Sequence, residues 1–106
     1  MTFLSPTDLV RKEPMPGFVG RFAHGITMTV VQWTVEAGAK LPEHAHPHEQ
    51  VSYVLEGEFE LTIEGRTQRL HQGALAIVPP NITHSGLAVT KCRLLDVFHP
   101  VRDDYR

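Results

Sequence analysis

The chain has 106 residues, enough for one domain and too few for a catalytic domain with a separate regulatory one. Its 42% hydrophobic and 21% charged residues exclude a disordered chain. A net charge of -2 without a basic cluster argues against nucleic acid as a partner, and a lone cysteine, Cys92, rules out an internal disulfide and fits a reducing compartment.

Residues 1–17 carry Pro6, Pro14, Pro16 and Gly17 and read as an extended N-terminal arm, with one short helical turn at Pro6-Thr7-Asp8-Leu9. Residues 18–106 read as the domain itself. Met1 to Lys12 lacks a basic-then-apolar leader, and no apolar run approaches the ~20 residues of a membrane span. A cytoplasmic protein with no membrane role is therefore expected. Ile26 to Val35 is rich in β-branched residues and holds the only tryptophan, Trp33. Val51 to Leu55 predicts a strand that ends at Glu56-Gly57. Phe59, Leu61 and Ile63 alternate with polar residues, as a half-buried strand does, and Glu64-Gly65 turns the chain into Arg66 to Leu70. Ala74 to Val78, Leu87 to Val89 and Arg93 to Phe98 complete a series of short strands. Their spacing and Gly/Pro punctuation predict an all-β sandwich or barrel.

Seven histidines are present, three of them within five residues: His44, His46 and His48 alternate with Ala45 and Pro47, and Gln50 follows. On an extended strand, alternate residues share a face, so these imidazoles are able to converge on one ion. His84 follows the rigid Pro79-Pro80-Asn81 turn and is a fourth candidate. On spacing alone, a polar loop with scattered surface histidines fits equally well.

The wider frame is more specific. Gly38, five residues, His44, one residue, His46, three residues, Gln50, six residues and Gly57 resemble the first cupin motif. Gly73, five residues, Pro79, one residue, Asn81, two residues and His84 resemble the second. The resemblance implies a single-domain cupin, an antiparallel jelly-roll barrel. It also implies one divalent ion, with Zn, Ni, Mn and Fe all open, on His44, His46, Gln50 and His84. Gln50 departs from the glutamate common at its position. Asn81 departs from glycine, though asparagine tolerates the left-handed backbone the turn needs.

Three stretches, two of them within those motifs, are similar to the KdgF-type cupins of pectin and alginate breakdown. They are His44 to Gln50, Pro79 to His84, and the tail Asp96-Val-Phe98-His-Pro-Val-Arg102-Asp-Asp-Tyr105. That resemblance implies ring opening and ketonisation of 4,5-unsaturated monouronates, an isomerase-type reaction on a small anionic sugar. Asp96, Phe98 and Arg102 are the implied catalytic residues.

The donor set supports an anionic substrate independently. Three neutral imidazoles and a neutral amide leave a dication uncompensated, and unit charges ~4 Å apart attract by about 4 kcal/mol at an effective dielectric of 20. Asp96 lies in the apolar run Leu94-Leu95-Asp96-Val97-Phe98 and alternates with Leu94 and Phe98. It is either a buried functional carboxylate or a structural one. Arg102 either clamps a carboxylate in bidentate fashion or pairs with Asp103 or Asp104. His48 reads as a rim residue. His24, His71 and His99 read as surface or structural histidines, and Cys92 as packed. Gln32 and Tyr53 line the cavity or face outward, depending on a one-residue choice of register.

Two other functional classes share these residues: a non-haem Fe(II) oxygenase and a non-catalytic sugar-acid-binding cupin. Alternation places Gln50, Ser52 and Val54 on the barrel's inner face. Val51, Tyr53, Leu55, Leu95 and Val97 then form an apolar outer face that predicts a homodimer, with the 1–17 arm free to cross to the other subunit.

Overall fold

The computed structural model describes residues 2–106. Ten strands follow in chain order: β1 Val10–Met15, β2 Phe18–His24, β3 Thr29–Val35, β4 Lys40–His44, β5 Glu49–Glu56, β6 Phe59–Ile63, β7 Arg66–Leu70, β8 Leu75–Val78, β9 His84–Ala88 and β10 Cys92–His99. Short 3-10 turns at Pro6–Asp8 and Asp103–Tyr105 complete the described elements. All pairings are antiparallel, in a six-stranded sheet of order β1-β2-β3-β10-β5-β8 and a four-stranded sheet of order β4-β9-β6-β7. This is the predicted all-β jelly roll.

Period-two alternation builds the space between the sheets. Thr29, Val31, Trp33 and Val35 of β3 point inward, as do Cys92, Leu94, Asp96 and Phe98 of β10 and Gln50, Ser52 and Val54 of β5. Val35, Val54, Leu94 and Cys92 gather at one end with Phe18, Phe59 and Leu61 of the neighbouring strands, forming an apolar core. Full burial of each large side chain there stabilises the fold by roughly 1.5–3 kcal/mol. Toward the other end the same strands bury Gln50, Ser52 and Asp96. Buried polar groups are retained only where they are hydrogen-bonded, so that end has the character of a site.

Several boundaries differ from the sequence expectation. Val10–Met15, expected within an extended arm, is the edge strand β1. It pairs with β2 of its own chain, and Lys12 Nζ donates to the Tyr105 carbonyl at 2.6 Å. Ile26, expected to begin a strand, is 94% exposed in the turn before β3. β9 begins at His84, not Leu87. The histidine segment is not one continuous strand: His44 ends β4, while His46 and His48 lie in the connection to β5, where Pro47 withholds a ladder donor. Gln32 and Tyr53 are exposed, and Tyr53 lies opposite outward-facing Leu95, so neither lines the cavity.

Candidate metal centre and its surroundings

His44 and His84 are direct cross-strand partners of β4 and β9, with ring centroids 4.2 Å apart. The turn that delivers His84 uses Asn81 at φ 64°, the left-handed conformation expected for a residue standing in for glycine. The Asn81 amide donates to the His46 carbonyl at 2.7 Å, binding the two motif loops together. His46 thereby enters the same cluster, its ring 4.9 Å from His84 and 5.5 Å from His44. One ring nitrogen from each of the three lies within 4.8 Å of the others.

The tautomers follow from the partners. His44 Nδ1–H donates to the Pro42 carbonyl (2.7 Å), His46 Nδ1–H to the His48 carbonyl (3.0 Å) and His84 Nδ1–H to the Ile82 carbonyl (2.9 Å). A carbonyl only accepts, so each Nδ1 bears a proton, which in the neutral ring leaves the lone pair on Nε2. His84 Nε2 is buried without a hydrogen-bond partner among the described residues. Backbone carbonyls orient metal-binding imidazoles in this manner. Burial pushes the pKa of His46 down to about 4, aided by the charges of Arg102 and His84, and burial likewise lowers that of His84. Both rings are therefore neutral donors at physiological pH.

Gln50 completes the set. Its amide nitrogen donates to Asp96 Oδ2 at 3.2 Å, which turns its oxygen toward His46 Nε2 at 3.1 Å. The three histidines, with the Gln50 oxygen beside His46, fit a bound divalent cation.

Asp96 is 7% exposed and sits beside the cluster. Oδ1 accepts from Ser52 Oγ at 2.6 Å; Oδ2 accepts from the Trp33 indole at 3.0 Å and from Gln50. Burial raises its pKa to about 6, opposed by the hydrogen bonds of Ser52 and Trp33 and the charge of Arg102. Phe98 is buried with its ring edge-on to His46 at 5.7 Å.

Arg102 is buried between aromatic rings, its guanidinium carbon 4.6 Å from the Phe98 centroid and 4.3 Å from that of Tyr105. Nε and Nη2 donate to Asp104 at 3.0 and 2.7 Å, so the pairing weighed from sequence does form, but on a buried guanidinium. His44, His46, Gln50, Asp96, Phe98 and Arg102 line one open cavity of about 30 Å³, room for about two waters.

The remaining histidines lie elsewhere. His24 bonds Thr29 (2.8 Å) and His71 bonds Glu58 (3.0 Å), while His99 is exposed. His48 packs its ring edge-on to Phe98 at 6.5 Å, at the rim of the site. Cys92 is packed, its thiol donating to the Glu58 and Thr90 carbonyls, and burial pushes its pKa up. Sequence reasoning missed the parts that Trp33 and Ser52 play. The available signal was a donor-only indole and a hydroxyl at inward positions of the strands flanking a lone buried carboxylate.

Two sheets in this order, with paired histidine motifs converging at one end of the barrel, define a cupin. The chain matches the cupin domain family over residues 31–98 and belongs to it. It is similar to the pectin degradation protein KdgF of Dickeya dadantii (strain 3937), at 29% identity over 92 residues covering 76% of this chain and 84% of that protein. Among solved structures, KdgF from Halomonas sp. superposes with a TM-score of 0.91 at 28% identity, covering 100% of this chain and 99% of that one. An RmlC-like cupin from Shewanella frigidimarina superposes at 0.92 with 30% identity, covering 100% and 96%. No helix among the described residues is long and apolar enough to cross a membrane.

Proposed function

We propose that this protein opens the ring of 4,5-unsaturated monouronates and releases the linear keto sugar acid. The observation that carries the reading is the convergence of three imidazoles and the Gln50 oxygen beside Asp96, with His44, His46, Gln50, Asp96 and Arg102 lining one cavity, in a chain similar to KdgF over its length. His44, His46, His84 and Gln50 would hold a divalent cation, which supplies Lewis acidity toward a substrate oxygen.

The remaining chemistry belongs to the chain itself. The substrate's C5 is already part of the C4–C5 alkene. Breaking the bond between C1 and the ring oxygen, with loss of the proton on the C1 hydroxyl, gives an aldehyde and an enolate. Protonation of C4 then gives the ketone, so one proton leaves oxygen and one joins carbon. In this reading Asp96 carries it, since Oδ1 spends one lone pair on Ser52 and keeps another. Arg102 anchors the uronate carboxylate through the guanidinium corner that Asp104 does not occupy. A neutral amide at position 50, where an Fe(II) oxygenase triad would place a carboxylate, argues against oxygen chemistry.

The test is direct. Metal-loaded protein incubated with an unsaturated monouronate should accelerate loss of the alkene absorbance, with the linear keto product identified by NMR. Saturable binding without faster loss would make the protein a sugar-acid-binding cupin instead.

A further inference from the structure

Trp33 is buried edge-to-face against Phe18 and Phe22, with centroids 5.9 and 5.4 Å apart. Gly20, its cross-strand partner, makes room for it, because a Cβ there would lie 2.7 Å from the indole ring. The indole N–H can only donate, and it donates to Asp96 Oδ2 at 3.0 Å. Oδ2 is therefore fixed as an acceptor. The side chain at position 50 reaches that same oxygen at 3.2 Å and must bring a hydrogen. Glutamine does so with its NH2 group, and its carbonyl oxygen is then forced to point away, toward His46. Ser52 holds Oδ1 at 2.6 Å and stops the carboxylate from rotating.

We propose that Trp33 and Ser52 are positioning residues that act through Asp96 to require an amide at position 50 and to aim its oxygen into the histidine cluster. The proposal deepens the functional reading above and rests on it only for the purpose of the aim. The hydrogen-bond pattern itself is independent of uronates.

An unusual pattern among variants follows. Gln50→Glu sets two carboxylates against each other with no hydrogen between them. Adding Asp96→Asn does not repair this. With its oxygen toward Trp33, the new amide at position 96 still meets the new carboxylate at position 50 acceptor to acceptor. With its nitrogen there, it opposes the indole N–H. Removing the indole donor as well, with Trp33→Phe, frees that amide to turn its NH2 toward the carboxylate at position 50.

Thermal melts of metal-free protein at pH 8.5, where a carboxyl proton shared in place of the missing amide hydrogen is least available, test the pattern. Gln50→Glu should lower Tm by about 5–10 °C in the wild-type background. In the Trp33→Phe/Asp96→Asn background the same substitution should cost less than half of that. In the Asp96→Asn background alone the loss should stay close to the wild-type one. A loss there as small as in the double background, which is what relief of carboxylate repulsion gives when Trp33 is merely structural, overturns the proposal, as do equal losses in all three backgrounds. If the triple variant does not fold, the Gln50 side-chain amide signals in 15N NMR spectra decide. They should keep their hydrogen-bonded shifts in Asp96→Asn and move to free-amide positions in Asp96→Leu; unchanged shifts in Asp96→Leu reject the relay. None of these measurements needs turnover, so a protein that shows the pattern but opens no uronate loses only the functional reading.

Discussion

The Gln50 side-chain oxygen and His46 Nε2 face each other at 3.1 Å in a buried setting, lone pair against lone pair. A cation between them relieves the repulsion. A proton on His46 would also do so, but burial holds that ring's pKa near 4, so at neutral pH the site favours a metal. Purified protein should therefore contain about one divalent ion per chain, measured by elemental analysis. His46→Ala and His84→Ala should each abolish stoichiometric binding; full metal content in both would sink the ligand assignment. Chelation should lower Tm, and re-addition at 100 times Kd should restore about 2.7 kcal/mol.

The metal-free protein carries opposing proton linkages. His46 titrates near 4 in the fold against 6.5 unfolded, so its contribution to stability is lost as pH falls from about 6.5 to 4. His84 is lowered too and works in the same direction. Asp96 titrates near 6 in the fold against 3.8 unfolded, so its contribution is present at low pH and lost as pH rises through 6. Between about pH 4 and 6, Asp96 offsets one histidine. Asp96→Asn removes that offset, and its stability should fall more steeply toward acid by up to about 1.4 kcal/mol per pH unit. Urea unfolding at pH 6, 5 and 4 measures the slope, and parallel profiles for the two proteins would contradict the assignment.

The outer face of the six-stranded sheet carries two apolar rows in register, Val97–Val51–Ile77 and Leu95–Tyr53–Leu75. Tyr53, Leu75 and Ile77 remain 37%, 51% and 58% exposed in the single chain. Two such faces apposed across a two-fold axis would bury both patches. Light scattering at micromolar concentration should give about twice the 11.9 kDa chain mass, and Tyr53→Lys/Ile77→Lys should shift it toward the monomer. A wild-type mass of 11.9 kDa would reject the dimer.

Much of this architecture was legible because alternation is local. Gln50, Ser52 and Val54 inward and Val51 and Tyr53 outward follow from a period of two, as does the inward turn of Asp96 between Leu94 and Phe98. The site was legible only through motif spacing, since His46 lies in a connection where alternation has no meaning. Strand β1 was obscured because Pro14 and the neighbouring Pro16 and Gly17 look like a loop, while an edge strand tolerates proline. The Trp33 relay was not legible at all. It joins residues 63 apart in sequence and depends on which atom of a carboxylate faces which donor.

Asp96 as the proton carrier gives the sharpest test of the chemistry. Asp96→Asn can keep its oxygen toward Trp33 and Gln50 and donate from its nitrogen to Ser52, so the donor cluster should retain its metal. It cannot carry the proton. Turnover of the unsaturated uronate should therefore fall by roughly 10²–10⁴-fold, with metal content and substrate affinity little changed. Where Asp96 acts as a base, wild-type activity should rise with pH as the carboxyl ionises, and this limb should be absent from the residual activity of Asp96→Asn. Arg102→Lys should instead act chiefly on KM, because an ammonium cannot present the planar fork that a carboxylate matches. Some loss of Tm should accompany it, since the guanidinium is stacked between Phe98 and Tyr105 and paired with Asp104. Wild-type turnover in Asp96→Asn would remove Asp96 from the mechanism, and an unchanged KM in Arg102→Lys would remove the carboxylate anchor.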